Sequence, residues 1–167
     1  MQRGDGMLTL YTPGYDDLWF RQAMLADEET MSYNHAWGGT IPFPEDRWKD
    51  WYGRWVARDA QDEDEEKRFY RYLRNEDGAF VGEIAYHTDS ESGCRMCLAD
   101  VLIFAPYRGK GYGGQALELL CSAAKENGFA ELYDDIAADN PAASLFLRHG
   151  FTVDHRTDDK IYLKKTL

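Results

Sequence analysis

No stretch of this chain approaches the roughly 20 consecutive apolar residues that a membrane span requires. The start, Met1-Gln2-Arg3-Gly4-Asp5-Gly6, lacks the apolar run of a secretory leader, so a cytoplasmic protein is expected. Positive charge is also scarce: 19 Lys and Arg stand against 30 Asp and Glu, a formal net charge of −11. Phosphate backbones and anionic lipids are held by clustered cations, so neither nucleic acid nor a membrane surface is an expected partner. An acidic surface could instead attract a cationic amine. Cysteine is limited to Cys94, Cys97 and Cys121. Cys94 and Cys97 form a C-x-x-C, but no second pair or paired histidines complete a zinc site. The pair stands at a strand entry, not at a helix start where a thiol would be acidified. Neither a metal nor a redox role is expected.

What is present suits one folded domain spanning residues 1–167. Of the 167 residues, 44% are hydrophobic, enough to bury a real core. Met7 to Tyr11 reads as a first strand, ended by Thr12-Pro13-Gly14. A helix follows from Tyr15 to about Ala26, then an irregular loop carrying Tyr33, His35 and Trp37. A second helix starts near Pro44, with Trp48, Trp51, Tyr52, Trp55 and Val56 along one stripe. That stripe either packs on a sheet or lends rings to an acceptor pocket. The acidic run Asp62 to Glu66 reads as an exposed loop.

Arg68 to Arg74, Phe80 to Thr88 and Met96 to Phe104 read as an antiparallel meander, joined at Asn75-Glu76-Asp77-Gly78 and at Asp89 to Gly93. Gly111 to Asn127 is helical and stopped by Gly128. A strand at Glu131 to Ala137 leads to a short helix, capped by Asn140-Pro141 and ended by Gly150. Phe151 to His155 and Lys160 to Lys164 close the order. The expected fold is α/β of the α+β type: a mixed, mostly antiparallel sheet of about seven strands, flanked by about four helices, with one β-α-β crossover.

The densest signal is Phe104-Ala105-Pro106-Tyr107-Arg108-Gly109-Lys110-Gly111-Tyr112-Gly113-Gly114, between an apolar strand and an amphipathic helix. Glycines leave no Cβ between backbone N–H groups and a ligand. Successive N–H groups at a helix start make an anion nest, and a pyrophosphate is its natural guest, with Arg108 and Lys110 adding charge. No Lys-Ser or Lys-Thr follows, which excludes a P-loop NTPase. Gly109-x-Gly111-x-x-Gly114 also matches the dinucleotide fingerprint, with Asp134 downstream, but the preceding meander does not suit a βαβαβ unit. A nucleotide-dependent oxidoreductase is therefore the weaker alternative.

Arg108-Gly109-Lys110-Gly111-Tyr112-Gly113 resembles the R/Q-x-x-G-x-G/A motif of the GNAT superfamily of N-acetyltransferases. The Pro-Tyr-Arg before it, the strand Val81-Gly82-Glu83-Ile84 and the segment Asp139 to Phe151 are similar to that family too. The resemblance implies an acyl-CoA N-acyltransferase-like domain that moves an acetyl or other acyl group from acetyl-CoA to a primary amine. It implies a splay between the strand ending at Phe104 and the strand near Leu132 to Ile136. Pantetheine would pair there with Leu102, Ile103 and Phe104, and pyrophosphate would sit on Gly109 to Gly114. Asn140, Ala143 and Phe146 would meet the pantetheine or adenylate arm from the last helix. A homodimer is a further family-based expectation.

The family's general acid is a tyrosine in that last helix, and its position here holds Phe146. Either another hydroxyl, such as Tyr133, replaces it or the thiolate leaves unassisted. Phe146 also keeps open a binding-only sensor module that holds acyl-CoA without turnover. For the base, Glu83 comes first, as a carboxylate on a face shared with Val81, Ala85 and His87 of an apolar strand. Its plainer reading is a salt-bridged carboxylate. Asp100 comes second and His87 third. The acceptor wall is expected in the aromatic stretch Tyr33 to Phe43 with the Trp48 helix.

Overall fold

The aromatic and β-branched segments form strands β1 (Thr9–Tyr11), β2 (Arg68–Arg74), β3 (Phe80–Asp89), β4 (Met96–Ile103), β5 (Glu131–Ala137), β6 (Thr152–Arg156) and β7 (Lys160–Thr166). The segments of helical period form α1 (Leu18–Ala26), α2 (Glu45–Trp55), α3 (Tyr112–Glu126) and α4 (Ala143–Arg148). Short 3₁₀ turns stand at Tyr15–Asp17, Ser32–Trp37 and Ala105–Tyr107. This computed structural model describes residues 6–57, 67–89 and 96–167, and the counts refer to these. The acidic run Asp62 to Glu66, the turn after Asp89 and Cys94 lie outside the described residues.

One sheet runs in the order β1-β2-β3-β4-β5-β7-β6. Every pair is antiparallel except β4 and β5, which α3 joins as the single parallel crossover. A mixed, mostly antiparallel seven-stranded sheet with four α-helices is the fold the residue pattern implies. Two apolar layers fill its faces. On one, α3 and α4 bury Leu117, Leu120 and Phe146 against Ile84, Leu132 and Ile136. On the other, α1 and α2 bury Leu18, Met24, Trp48 and Trp51 against Tyr70 and Tyr72. The tryptophan stripe of α2 therefore packs on the sheet, with Trp51 edge-on to Tyr70 at 4.8 Å.

Three local expectations change. Pro44 is the N-cap of α2, so the first helical residue is Glu45. The last helix begins at Ala143 rather than just after Asn140, and Ala142 is its N-cap. Asn140 instead fixes the turn before it, its Oδ1 accepting the Ala142 N–H at 2.9 Å. On β3 the expected face of Val81, Glu83, Ala85 and His87 is broken by a register shift: Leu73 pairs with Gly82 and Arg74 with Phe80. The extra residue turns Val81 to the α3 side, while Ala85 stays in the α1–α2 layer.

The crossover creates the feature that matters for function. β4 and β5 are paired at one register, Leu98 with Tyr133, and part beyond it. β4 meanwhile stays paired to β3 up to Gly82 and Ile103. Gly82 is required there, because a Cβ would run into the Leu102 carbonyl oxygen. A gap thus opens in mid-sheet at the C-terminal end of β4, directly before the start of α3.

Candidate active site

That gap is the floor of a cleft of about 730 Å³. On one side it reaches the glycine-rich turn and α4; on the other it reaches α1 and the 3₁₀ segment Ser32–Trp37. It passes from one sheet face to the other.

At the α3 end, Gly109 and Gly111 adopt φ of +78° and +83°, a left-handed conformation that glycine takes without a Cβ penalty. Added Cβ atoms at both would point into open space, which leaves a bare cradle. None of the N–H groups from Gly109 to Gly114 donates to a backbone or side-chain acceptor among the described residues. The cradle therefore presents a run of amides at a helix start, the arrangement that holds a phosphate. Lys110 is exposed beside it.

Arg108 departs from its expected role. Its Nε donates to Ile103 O at 3.1 Å, Nη1 to Glu29 O at 3.1 Å and Nη2 to Thr30 O at 2.7 Å. Its own N–H is spent on Ala105 O. Arg108 clamps the segment after α1 to the end of β4, with three of its five N–H donors and its own amide engaged. Thr30 completes the clamp, its hydroxyl accepting the Ala105 N–H at 3.0 Å.

Along the gap, Leu102 and Ile103 line the cleft, joined by Val101, whereas Phe104 does not. Phe104 gives its N–H to Val81 O at 2.8 Å and sets its ring edge-on to Phe20, so it belongs to the α1 layer. From α4, Phe146 lines the cleft and leans edge-on against Phe151. Asn140, Ala142 and Leu145 line it as well, but Ala143 lies one residue to the side. That shift follows from the later start of the helix.

The α1 side of the cleft holds a polar knot that sequence reading reveals only in part. Glu83 is 1% exposed. Its carboxylate accepts Arg21 Nη1 at 2.7 and 3.1 Å and the Tyr70 hydroxyl at 2.7 Å. The Arg21 guanidinium lies over Trp51 at 4.5 Å, with Phe43 at 5.1 Å and Tyr70 at 5.4 Å. Burial alone would lower the Arg21 pKa; the neighbouring Glu83 charge, with Tyr70 and Asp100, more than reverses this. Arg21 Nε is buried without a hydrogen-bond partner. Glu83 is thus paired with a cation and a phenol, as its plainer reading expects, and Asp100 lies beside it.

Asp100 differs. It sits on the strand beside Glu83, opposite Ala85, and opens onto the cleft. It is exposed to the cleft, while the protein packed beneath it still disfavours its charged form. Burial first, then the charge and hydrogen bond of Glu83, push its carboxyl up to about 7, against the opposing pull of Arg21. A second cleft carboxylate, Asp134, is buried between Leu132 and Ile136 on β5. Burial, then Asp100 and Asp135, raise it well above the usual carboxylate range.

Tyr133 is not brought to the cleft. It pairs with Leu98 at the closed end of the two strands and feels Glu131 and Lys164 instead. His87 lies against Trp55 and is not part of the cleft lining. Of the expected aromatic wall, Tyr33 and Trp37 face the cleft with Ile41, whereas Phe43 and Trp48 are core. Cys97 is buried, which pushes its thiol up to about 12. Among the described residues no three His, Cys, Asp or Glu side chains converge as a metal would need. Nor is any described helix long and apolar enough to cross a membrane.

Sequence reading does not single out Arg21 or Tyr70, and it names Asp134 only for the dinucleotide fingerprint. Arg21 carried a signal, since it shares the buried face of α1 with Leu18 and Leu25 at i, i+3 and i+7. Asp134 carried another, as a carboxylate inside the alternation Leu132, Asp134, Ile136.

Comparison with known proteins agrees with this geometry. The family model described as "Acetyltransferase (GNAT) family" matches residues 19–151. No curated protein sequence matches the chain. Among solved structures, a spermidine N-acetyltransferase from Vibrio cholerae, in complex with CoA and spermine, superposes with a TM-score of 0.75 at 18% identity, covering 96% of this chain and 95% of that one. A phosphinothricin acetyltransferase from Sinorhizobium meliloti, in complex with AcCoA, gives 0.74 at 16% identity, covering 96% and 89%. A GNAT-family acetyltransferase from Bacillus anthracis gives 0.73 at 15%, covering 96% and 95%. At these identities the likeness is one of fold.

Proposed function

Because the chain belongs to the acetyltransferase (GNAT) family, we propose that residues 1–167 act as a single domain that moves an acetyl group from acetyl-CoA directly to a primary amine. The observation that carries this reading is the mid-sheet gap beyond Leu98 and Tyr133, which opens onto the acceptor-free amides of Gly109 to Gly114. Pantetheine lies in the gap along Val101 to Ile103, and the diphosphate rests on the amides with Lys110 beside it. Asn140, Ala142, Leu145 and Phe146 form the α4 wall. The CoA- and acetyl-CoA-bound neighbours support acetyl-CoA as co-substrate.

Asp100 takes the ammonium proton of the acceptor. The freed amine attacks the thioester carbonyl carbon, the C–S bond breaks as the C–N bond forms, and the second proton of the nitrogen passes to the departing thiolate, which leaves as the thiol of CoA. Glu83 is a positioning residue: it is held by Arg21 and Tyr70 and fixes the environment of Asp100. Tyr133 is given no part. A thiol of pKa about 8.5 is a tolerable leaving group, so Phe146 does not exclude turnover. Family membership supports transfer over a binding-only module.

The test is a thermal-shift comparison of acetyl-CoA, CoA and NAD, followed by thiol release from acetyl-CoA over an amine panel. Acetyl-CoA and CoA should raise the melting temperature, and release should depend on amine. Stabilisation by NAD alone would overturn the reading.

A further inference from the structure

We propose that Asp134 is a second catalytic group, which carries the remaining proton of the attacking nitrogen to the sulfur of the departing thiol. This deepens the transferase reading and rests on it. Bond exchange at the carbonyl leaves one proton too many on nitrogen and one too few on sulfur. The α3–α4 side of the slot is walled by Val101, Ile136, Leu145 and Phe146, which have no proton to offer. A thiolate set free against that wall would be a poorly solvated anion, and protonating it as the C–S bond breaks avoids the cost.

Strand register decides which groups can serve. On β4, Asp100 shares its face with Leu102, which packs in the α1–α2 layer. On β5, Asp134 lies between Leu132 and Ile136, both in the α3–α4 layer. The two carboxyls therefore approach the slot from opposite faces of the sheet. Asp134 directly follows Tyr133, the residue paired with Leu98, so it stands where the two strands begin to part. It is buried, yet it lines the cleft.

Their surroundings divide the two roles. Asp134 is faced by Asp100 from β4 and followed by Asp135, which has Lys160 Nζ of β7 at 3.9 Å. The start of α3 brings Tyr112 to the same cleft, and α4 brings the uncharged Leu145 and Phe146. Burial, then the charges of Asp100 and Asp135, favour the protonated form of Asp134 against the pull of the Asp135 backbone. Asp100 has Arg21 on its side of the sheet, and that cation favours its charged form. Two interacting carboxyls ionise in sequence, and the cation decides which goes first. Asp100 loses its proton and serves as base; Asp134 keeps one to give.

The protons balance. Asp100 takes one from the ammonium. As the C–S bond breaks, Asp134 gives its proton to sulfur, and its other oxygen takes the second proton from nitrogen. A protonated carboxyl can do both, having one donor and a free acceptor oxygen. Asp134 ends neutral, as it began.

Asp134→Asn keeps the shape and neutrality of this group but cannot relay a proton. Its kcat for amine-dependent thiol release should fall about 100-fold, the lower end for proton transfer, because a thiolate is already a tolerable leaving group. Acceptor KM and calorimetric affinity for acetyl-CoA should change little. In wild type, kcat should fall on the alkaline side as Asp134 ionises. In the variant that fall should vanish, while the rise near 7 set by Asp100 remains. A wild-type rate that stays level up to the pH of unfolding would overturn the inference even if the variant failed to fold. So would an undiminished kcat in folded Asp134→Asn. Either result leaves the transferase reading standing, whereas acetyl-CoA binding with no release on any amine of the panel would overturn both.

Discussion

Asp100 lies on an apolar strand, and its surroundings do two opposing things. Burial and the Glu83 charge favour its protonated form, while the open cleft lets it meet a substrate. As a base it works only when ionised, so kcat/KM should rise with pH through an inflection near 7, the value its carboxyl is pushed to. Asp100→Asn should cut kcat by about 100-fold or more and remove that inflection, with acetyl-CoA affinity retained. Stability should move the other way. A carboxyl raised above its unfolded pKa contributes stability that is full below about 4 and is lost as pH rises through the folded value. Asp100→Asn should therefore gain on wild type in urea titrations as pH is raised toward about 8. No gain, with the inflection kept, would remove Asp100 from the reaction.

Glu83 gives the contrasting case. Its side chain is 2% exposed and its partner Arg21 16%. Removing one member of such a pair leaves the other buried and uncompensated. Glu83→Gln should cost about 3–5 kcal/mol in urea unfolding. A loss under about 1 kcal/mol would mean that the pair is screened like a surface bridge.

At the scale of elements, the glycine turn and the Arg108 clamp have separate jobs, and two substitutions should separate them. Gly111 has φ +83°, so any side chain there is strained, and a carboxylate would bring negative charge beside the cradle. Gly111→Glu should abolish acetyl-CoA binding by calorimetry, and unchanged affinity would contradict the cradle. Arg108→Ala should instead release the carbonyls of Glu29, Thr30 and Ile103. It should cost about 1–3 kcal/mol of stability and raise the acceptor KM, with affinity for CoA nearly unchanged. A large loss of CoA affinity without loss of stability would return Arg108 to the phosphate.

The element scale is also where sequence reading was strongest. β5 at Glu131–Ala137 and α3 at Tyr112–Glu126 stand almost where periodicity and the stop at Gly128 put them. The nest was legible because only glycine density before a helix produces it. What escaped was whatever depends on pairing across the chain. The turn of Val81 to the α3 side comes from a bulge that strict alternation cannot register. The capture of Arg108 by residues 29, 30 and 103 depends on a fold-back of roughly eighty residues, so the motif alone read as a phosphate ligand. Arg21 lies 62 positions from Glu83, and nothing local announces that partnership. Asp134 was visible as a charged residue in an apolar alternation, yet its position opposite the gap is a tertiary fact.

For the whole molecule, the parallel crossover is the organising event. By setting β5 beside β4 at one register and letting the strands part, it makes a slot through the sheet, with amides at one mouth and carboxylates at the other. Family membership and the shared fold account for the first mouth; the particular charges of this chain shape the second. The most direct measurement is a crystal structure grown with acetyl-CoA. Its diphosphate should lie on the N–H groups of Gly109 to Gly114, with the pantetheine between β4 and β5 and the thioester directed toward Asp100. A nucleotide bound elsewhere, or a slot closed by continued pairing of the two strands, would contradict the account.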